Sequence, residues 1–246
     1  MMRYHQSMTD SEVGSSGPLR GAVVIADLVG SRRHSDRAAL QQRVRAVLAA
    51  HASSPLLTQR LEETLGDEFQ AATARAGDAV RLCLELRLDL LPDVDTRFGI
   101  GIGSLAVFDQ GRVPMSQDGP AWWAARSAIG AARRRAASRS RSARTWVVAA
   151  EQESTAAHRE AALTRSFLVL QDHLLAAMSP LQLSVLRGSL AGARQSTIAE
   201  AAGVTQSAVS QALSSSGGKA LIQALAELLH SDLHQPAPDA GRDISR

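Results

Sequence analysis

The sequence predicts an α+β protein, a sheet domain followed by an all-helical one. Short apolar runs of strand type alternate with helical segments as far as residue 150. Strand signals then stop at Glu151. Near the C-terminus, two short helical patterns flank a glycine at the spacing of a helix-turn-helix. With 246 residues and 45% hydrophobic content, the chain is large enough to bury an ordinary core.

Several classes are excluded at once. The one cysteine, Cys83, allows no internal disulfide framework, and the seven histidines show no zinc-ligand spacing. Both facts fit a reducing cytoplasm. No apolar run approaches the ~20 residues of a membrane span, and residues 1–20 lack the apolar middle of a signal peptide. Net charge is +3, carried by arginine with Lys219 as the one lysine, and arginine forks suit phosphate.

Residues 1–20 read as a disordered leader and 21–150 as the sheet domain. Residues 22–28 are a strand with Asp27 near its end, and Ser35 is the expected N-cap of a first helix built on Leu40, Val44, Val47 and Leu48. A hairpin should turn at Gly66-Asp67, and a second helix should stop before Pro92. The segment TRFGIGIGSLAVF alternates apolar residues with glycine, as strands do where other backbone comes close. Asp118-Gly119-Pro120 opens an alanine-rich helix to about Arg135, and TWVVAA is the last strand. Residues 151–178 form a connecting helix with a stripe of Leu163, Phe167, Leu170 and Leu174, a pattern of core or dimer seam. Ser179-Pro180 begins the helical domain, 179–233, with the expected N-cap and first-turn proline, and 234–246 reads as a disordered tail.

Asp27 and Asp67 carry the chemistry of the first domain. Two carboxylates brought together at a strand end and a hairpin turn repel unless a cation lies between them, and Mg²⁺ or Mn²⁺ with nucleotide phosphates resolves this, Glu68 adding a third oxygen. Gly30, Ser31, Arg32 and Arg33 supply backbone N–H groups and guanidiniums to such phosphates. In the plainer alternative, Asp27 caps a loop and Asp67-Glu68 is an exposed turn. Trp122 and Trp123 can stack on a base or fill the core. The arginine run from Ala132 to Arg144 is a candidate phosphate or nucleic-acid contact or a solvated helix end.

Four motifs in this order resemble the class III nucleotide cyclases: VVIADLVGSR, ETLGDEFQA, RFGIGIGSL and DGPAWWAARSA. GDEF also matches the diguanylate cyclases, and the set is most similar to the SatD family, small bacterial proteins of undetermined activity. The resemblance implies a ferredoxin-like, nucleotide-cyclase-type sheet. It implies metal ligands at Asp27 and Asp67, nucleotide contacts at Gly30, Ser31, Arg32, Glu63, Gly66 and Arg126, and at Arg126 the catalytic arginine if any. Glu63 matches the guanine-reading glutamate of guanylate cyclases. Trp122 stands where cyclases have asparagine, and Leu65 where diguanylate cyclases need a second glycine. Binding of a purine nucleotide, GTP or ATP, is thus implied more strongly than its cyclisation.

In QSTIAEAAGVTQSAVSQAL, Thr197 and Glu200 suggest a capping box, Ile198, Ala199 and Ala202 an inner face, and Gly203 the turn. Val204 plugs the gap, Thr205 caps the second helix, and Ala208, Val209, Ala212 and Leu213 point inward. Gln206, Ser207, Ser210 and Gln211 then face outward with side chains suited to base edges of double-stranded DNA, and Lys219 suits its backbone. Together these readings describe a cytoplasmic, DNA-binding transcriptional regulator, a homodimer without membrane contact, that senses a purine nucleotide. The alternatives are a metal-dependent nucleotidyl cyclase or NTP hydrolase with an accessory helix-turn-helix, and a sheet domain that serves as a ligand-free dimerisation scaffold.

Overall fold

The structure, a computed structural model, describes residues 19–64, 67–109, 116–138 and 140–230. Gly66, Leu65, most of the expected leader and the expected tail lie outside the described residues. The order is β1 (Leu19–Val29), α1 (Arg37–His51), β2 (Leu57–Glu63), β3 (Glu68–Thr73), α2 (Ala76–Leu90), β4 (Asp95–Asp109), β5 (Ser116–Asp118), α3 (Pro120–Ala137), β6 (Thr145–Ala149), then α4 (Thr155–Ala177), α5 (Pro180–Leu190), α6 (Gln195–Ala202), α7 (Gln206–Ser215) and α8 (Gly218–His230). The fold is α+β, with a mixed sheet ordered β2-β3-β1-β4-β5 and β6 added to β4 in parallel.

The pleat of β1 sorts the core into two layers. Ala22, Val24, Ala26 and Leu28 face α1 and α2, whereas Val23 and Ile25 face α3. On the α3 side, the glycines of β4 have a steric purpose. A Cβ at Gly99 or Gly101 would fall inside the van der Waals distance of the Ala125 or Ala121 carbonyl oxygen, so α3 lies with its backbone directly on the strand.

Helix α2 is buried almost all round, with 12 of its 15 residues inaccessible. One face meets β1 and β4, and another meets α5 and α8. Leu186 of α5 and Leu221 and Leu225 of α8 therefore join the same core as the strands.

Helix α4 is held by charge as much as by apolar contact. The Asp172 carboxylate, 2% exposed, accepts from Arg87 Nη1 at 2.8 Å and from the backbone N–H groups of Arg144 at 2.6 Å and Thr145 at 2.8 Å. Arg87 Nε reaches Asp95 at 2.8 Å, and Arg144 Nε donates to the same Asp95. For Asp172, burial outweighs these partners and holds the carboxyl above the usual range; for Asp95, burial pushes up but Arg87 and Arg144 outweigh it, leaving the carboxyl below its ordinary 3.8.

Three local expectations shift. Asp36, not Ser35, caps α1, because its carboxylate accepts from Ala39 N at 2.9 Å. Helix α6 begins at Gln195 after Arg194 with no side-chain cap, so Thr197 lies inside the helix and makes no capping box. On α4, Leu163 and Leu170 are 52% and 65% exposed, while Ala161, Thr164, Leu168, Gln171, Asp172 and Leu175 face inward. The helix is rotated to put Asp172 at its ion partners, and of the expected stripe only Phe167 and Leu174 touch the core. The three-residue strand β5 carries no sequence signal of its own.

Gly101→Ala is expected to lower the unfolding free energy by about 3 kcal/mol, measured by urea denaturation. Gly130→Ala, facing only the flexible end of Arg134 in a helix interior, should raise it by up to about 1 kcal/mol. Unfolded Asp95 takes its proton near pH 3.8 while the folded carboxylate stays ionised, so its contribution is present above that pH and lost as pH falls through the lower folded value. Asp95→Asn should accordingly flatten the acid limb of a stability profile against pH.

Candidate functional site

Asp27 sits near the C-terminal end of β1, opposite Glu68 of β3 and Arg97 of β4. Being odd-numbered like Val23 and Ile25, it points to the α3 side. There its carboxylate, 7% exposed, accepts from Arg97 Nη1 at 2.8 and 3.0 Å, and from Arg133 of α3. Arg97 is well covered, whereas the Arg133 side chain is 64% exposed. Arg126 lies two turns before Arg133 on α3, about 10.5 Å along the axis, and is exposed. The face at this end of the sheet thus holds one accessible guanidinium, Arg133, above a buried carboxylate, with Arg126 further along α3 toward the middle of the strands.

The second expected ligand lies on the other face. Leu28 N donates to the Asp67 carbonyl at 3.3 Å, which places Asp67 beside Leu28 and turns its side chain to the α1 side. There it accepts from the Ser31 hydroxyl and lies 3.9 Å from Arg37. Gly30, at φ 78, begins a single 3-10 turn over Ser31–Arg33. Ser31 is buried and committed to Asp67, while Arg32 and Arg33 are exposed. Glu63 ends β2 and accepts from Arg45 Nε at 3.2 Å, and Glu68 is exposed. A cavity of about 20 Å³ lies among Glu63, Asp67 and Phe69, room for about one water molecule.

Gly30, Ser31, Arg32, Glu63, Asp67 and Glu68 therefore gather at one end of the sheet, as the sequence leads one to expect. Asp27 and Asp67, however, point away from each other and already have cationic or hydroxyl partners. Among the described residues no cluster of three metal-ligating side chains forms. As arranged, these carboxylates do not fit a shared Mg²⁺ or Mn²⁺. Trp122 is core, 3% exposed, and Trp123 is 61% exposed with its indole N–H on Asp118 at 2.7 Å.

The other expected surface is on α7. Gly203, at φ 65, ends α6 in the left-handed region, and the Thr205 hydroxyl caps α7 by accepting from Ala208 N at 3.1 Å. Val209, Ala212 and Leu213 pack on Val185, Ile198 and Ala199, with Val204 beside them. Thr205, Gln206, Ser207, Gln211 and Lys219 are exposed, and Ser210 is half-buried.

The family model described as the SatD family matches residues 22–227. The chain belongs to the SatD family. That match runs from β1 into α8, so the family's shared part includes both the sheet and the C-terminal helices. No curated protein matches the chain. A solved structure of a bacterial light-regulated adenylyl cyclase is similar at 14% identity and a TM-score of 0.37, over 48% of this chain and 72% of that one. A second structure of the same description gives the same identity and score over 49% of this chain and 42% of that one.

Within this SatD-family chain, the sequence reading missed Arg97 and the role of Arg133 toward Asp27. Arg97 is 70 residues from Asp27 and meets it only through the β1–β4 register. Nothing local to either residue announces that pairing. The arginine run 133–144 is also not one surface: Arg133 turns to Asp27, Arg135 to Trp146, and Arg144 to Asp95.

Arg97→Ala leaves Asp27 buried with one exposed partner and should cost about 3 kcal/mol in chemical denaturation. Arg133→Ala removes the solvated partner and should cost under about 1 kcal/mol. Equal costs would show that Asp27 relies on both guanidiniums alike.

Proposed function

We propose that the chain is a DNA-binding transcriptional regulator whose α6–α7 pair is a helix-turn-helix and whose ferredoxin-like, nucleotide-cyclase-type sheet domain senses a purine nucleotide. The observation that carries this reading is α7, which buries Val209, Ala212 and Leu213 and leaves Gln206, Ser207 and Gln211 in solvent behind a left-handed glycine turn. Exposed glutamine and serine contribute little to packing, but glutamine matches the major-groove edge of adenine. Lys219, exposed at the start of α8, suits backbone phosphate. In this reading the protein is a cytoplasmic homodimer on double-stranded DNA, since paired half-sites supply the affinity that one short helix lacks.

The sensing half rests on the arginines. Arg126 and Arg133 stand on one side of α3, and Arg133 is accessible while it rests on Asp27. The phosphates of GTP or ATP would compete for Arg133 and bridge it to Arg126. No part of this reading runs through Mg²⁺ or Mn²⁺. Coupling to DNA follows from the shared core, in which α2 touches β1 on one side and α5 and α8 on the other. A nucleotide shifts DNA affinity only by its preference between two arrangements of these helices. The rival reading, a nucleotidyl cyclase or NTP hydrolase, needs a carboxylate free for metal, and Asp27 is engaged by two guanidiniums.

Gln206→Ala and Gln211→Ala should each relax sequence preference by about 1–3 kcal/mol in DNA-binding assays, with non-specific affinity retained. In calorimetry with GTP and ATP, Arg126→Gln combined with Arg133→Gln should weaken nucleotide binding about tenfold or more while DNA binding without nucleotide is unchanged. No heat with either nucleotide removes the sensing half. Turnover of a labelled NTP that Asp27→Asn abolishes makes the protein an enzyme.

A further inference from the structure

Beyond β6 the sheet ends, and a cavity of about 510 Å³ opens there between Ser138, residues 140–143, β6 and the middle of α4. Its volume lies in the range of small-molecule sites. Arg135, Arg141 and His173 line it, together with the hydroxyls of Ser138, Ser140 and Ser142. The acid in its wall, Asp172, is already committed to Arg87 and to the N–H groups of Arg144 and Thr145. Among the described residues neither Arg135 nor Arg141 has an ion-pair partner. The guanidinium of Arg135 is held in place by Trp146, 4.1 Å from the ring centroid.

Among the described residues, two buried polar atoms here have no hydrogen-bond partner. Thr145 is 2% exposed and lines the cavity, yet its hydroxyl makes no hydrogen bond, and Arg135 Nε is likewise unsatisfied. Buried polar groups are ordinarily paired, and these two lie just behind the cavity wall, where a small side-chain rotation would bring them onto an anionic ligand. We infer that this cavity is a binding site for a small phosphomonoester, its phosphate held by Arg135, Arg141 and the loop hydroxyls. The site is separate from the Asp27 end of the sheet: Arg133 and Arg135 are two residues apart on α3, about 200° around the helix, and turn to opposite sides. The cavity is concave and reaches a nearly inaccessible threonine, a shape that a free small molecule fits and the convex backbone of duplex DNA does not. Thus the serine and arginine run reads as a pocket wall rather than a nucleic-acid track.

The test is calorimetry on the full chain with inorganic phosphate and with GMP, and fluorescence anisotropy with duplex DNA. The variants are Arg135→Gln combined with Arg141→Gln, Arg141→Glu alone as a change confined to an exposed loop side chain, Thr145→Val, and Arg133→Gln. Millimolar or tighter binding of a phosphate probe is expected, weakened about tenfold or more by both arginine variants and a few-fold by Thr145→Val. GMP tighter than phosphate identifies an organic phosphomonoester as the ligand, and equal affinities identify free phosphate. The inference fails if neither probe binds, if Arg135, Arg141 and Thr145 variants bind as the wild type does, or if those variants lose DNA affinity instead. Loss on Arg133→Gln alone would return the binding to the Asp27 end and support the nucleotide reading without this site.

Discussion

The carboxylate of Asp172 is the point on which the arrangement of the second half of the molecule depends. It receives one guanidinium and two consecutive backbone N–H groups, so it fixes where β6 begins, how α4 lies against it, and where Arg87 of α2 must be. Burying an ion costs several kcal/mol unless its lone pairs are used, and breaking such a pair is worse than never having had it. The cost is offset here because Asp95 takes the other edge of Arg87 and also binds Arg144. One loop, two strands and two helices thus share a single electrostatic centre. The cavity beyond β6 lies beside that centre, with Asp172 in its wall.

A second constraint is the alternation of the sheet. Neighbouring residues on paired strands face the same way, so the register that places Asp27 opposite Glu68 turns Asp67 to the far side with Leu28. A reading of the sequence brings the two aspartates to the same end of the sheet, and they are there. Their faces are set by whether each number is odd or even relative to a pairing that neither segment declares. Hence two acids meant to share a cation are instead satisfied separately, one by arginines under α3 and one by serine at the entrance to α1.

Most elements were legible because their signals are local. The apolar run of β1, the glycines of β4, the Gly119-Pro120 start of α3, the Ser179 cap with its proline, and Gly203 with Thr205 all express short-range requirements of the backbone. The inner face of α4 was not legible, because an aspartate and a glutamine on a helix read as solvent-facing unless their remote partners are known. The same holds for the site. Asp27, Glu63, Asp67 and Arg126 stand out by motif, whereas Arg97 and Trp146 matter only through contacts made across long stretches of chain.

Helix α2 has almost no side that is only its own. Leu82, Leu86 and Leu90 are fully enclosed, with strands against one flank and the C-terminal helices against another. A side chain there is judged by two neighbours at once, so the two ends of the chain must change in step through it. Such a shared helix turns what reads as a chain of two modules into one inheritable unit: a C-terminal segment borrowed from elsewhere would arrive with the wrong shape for it.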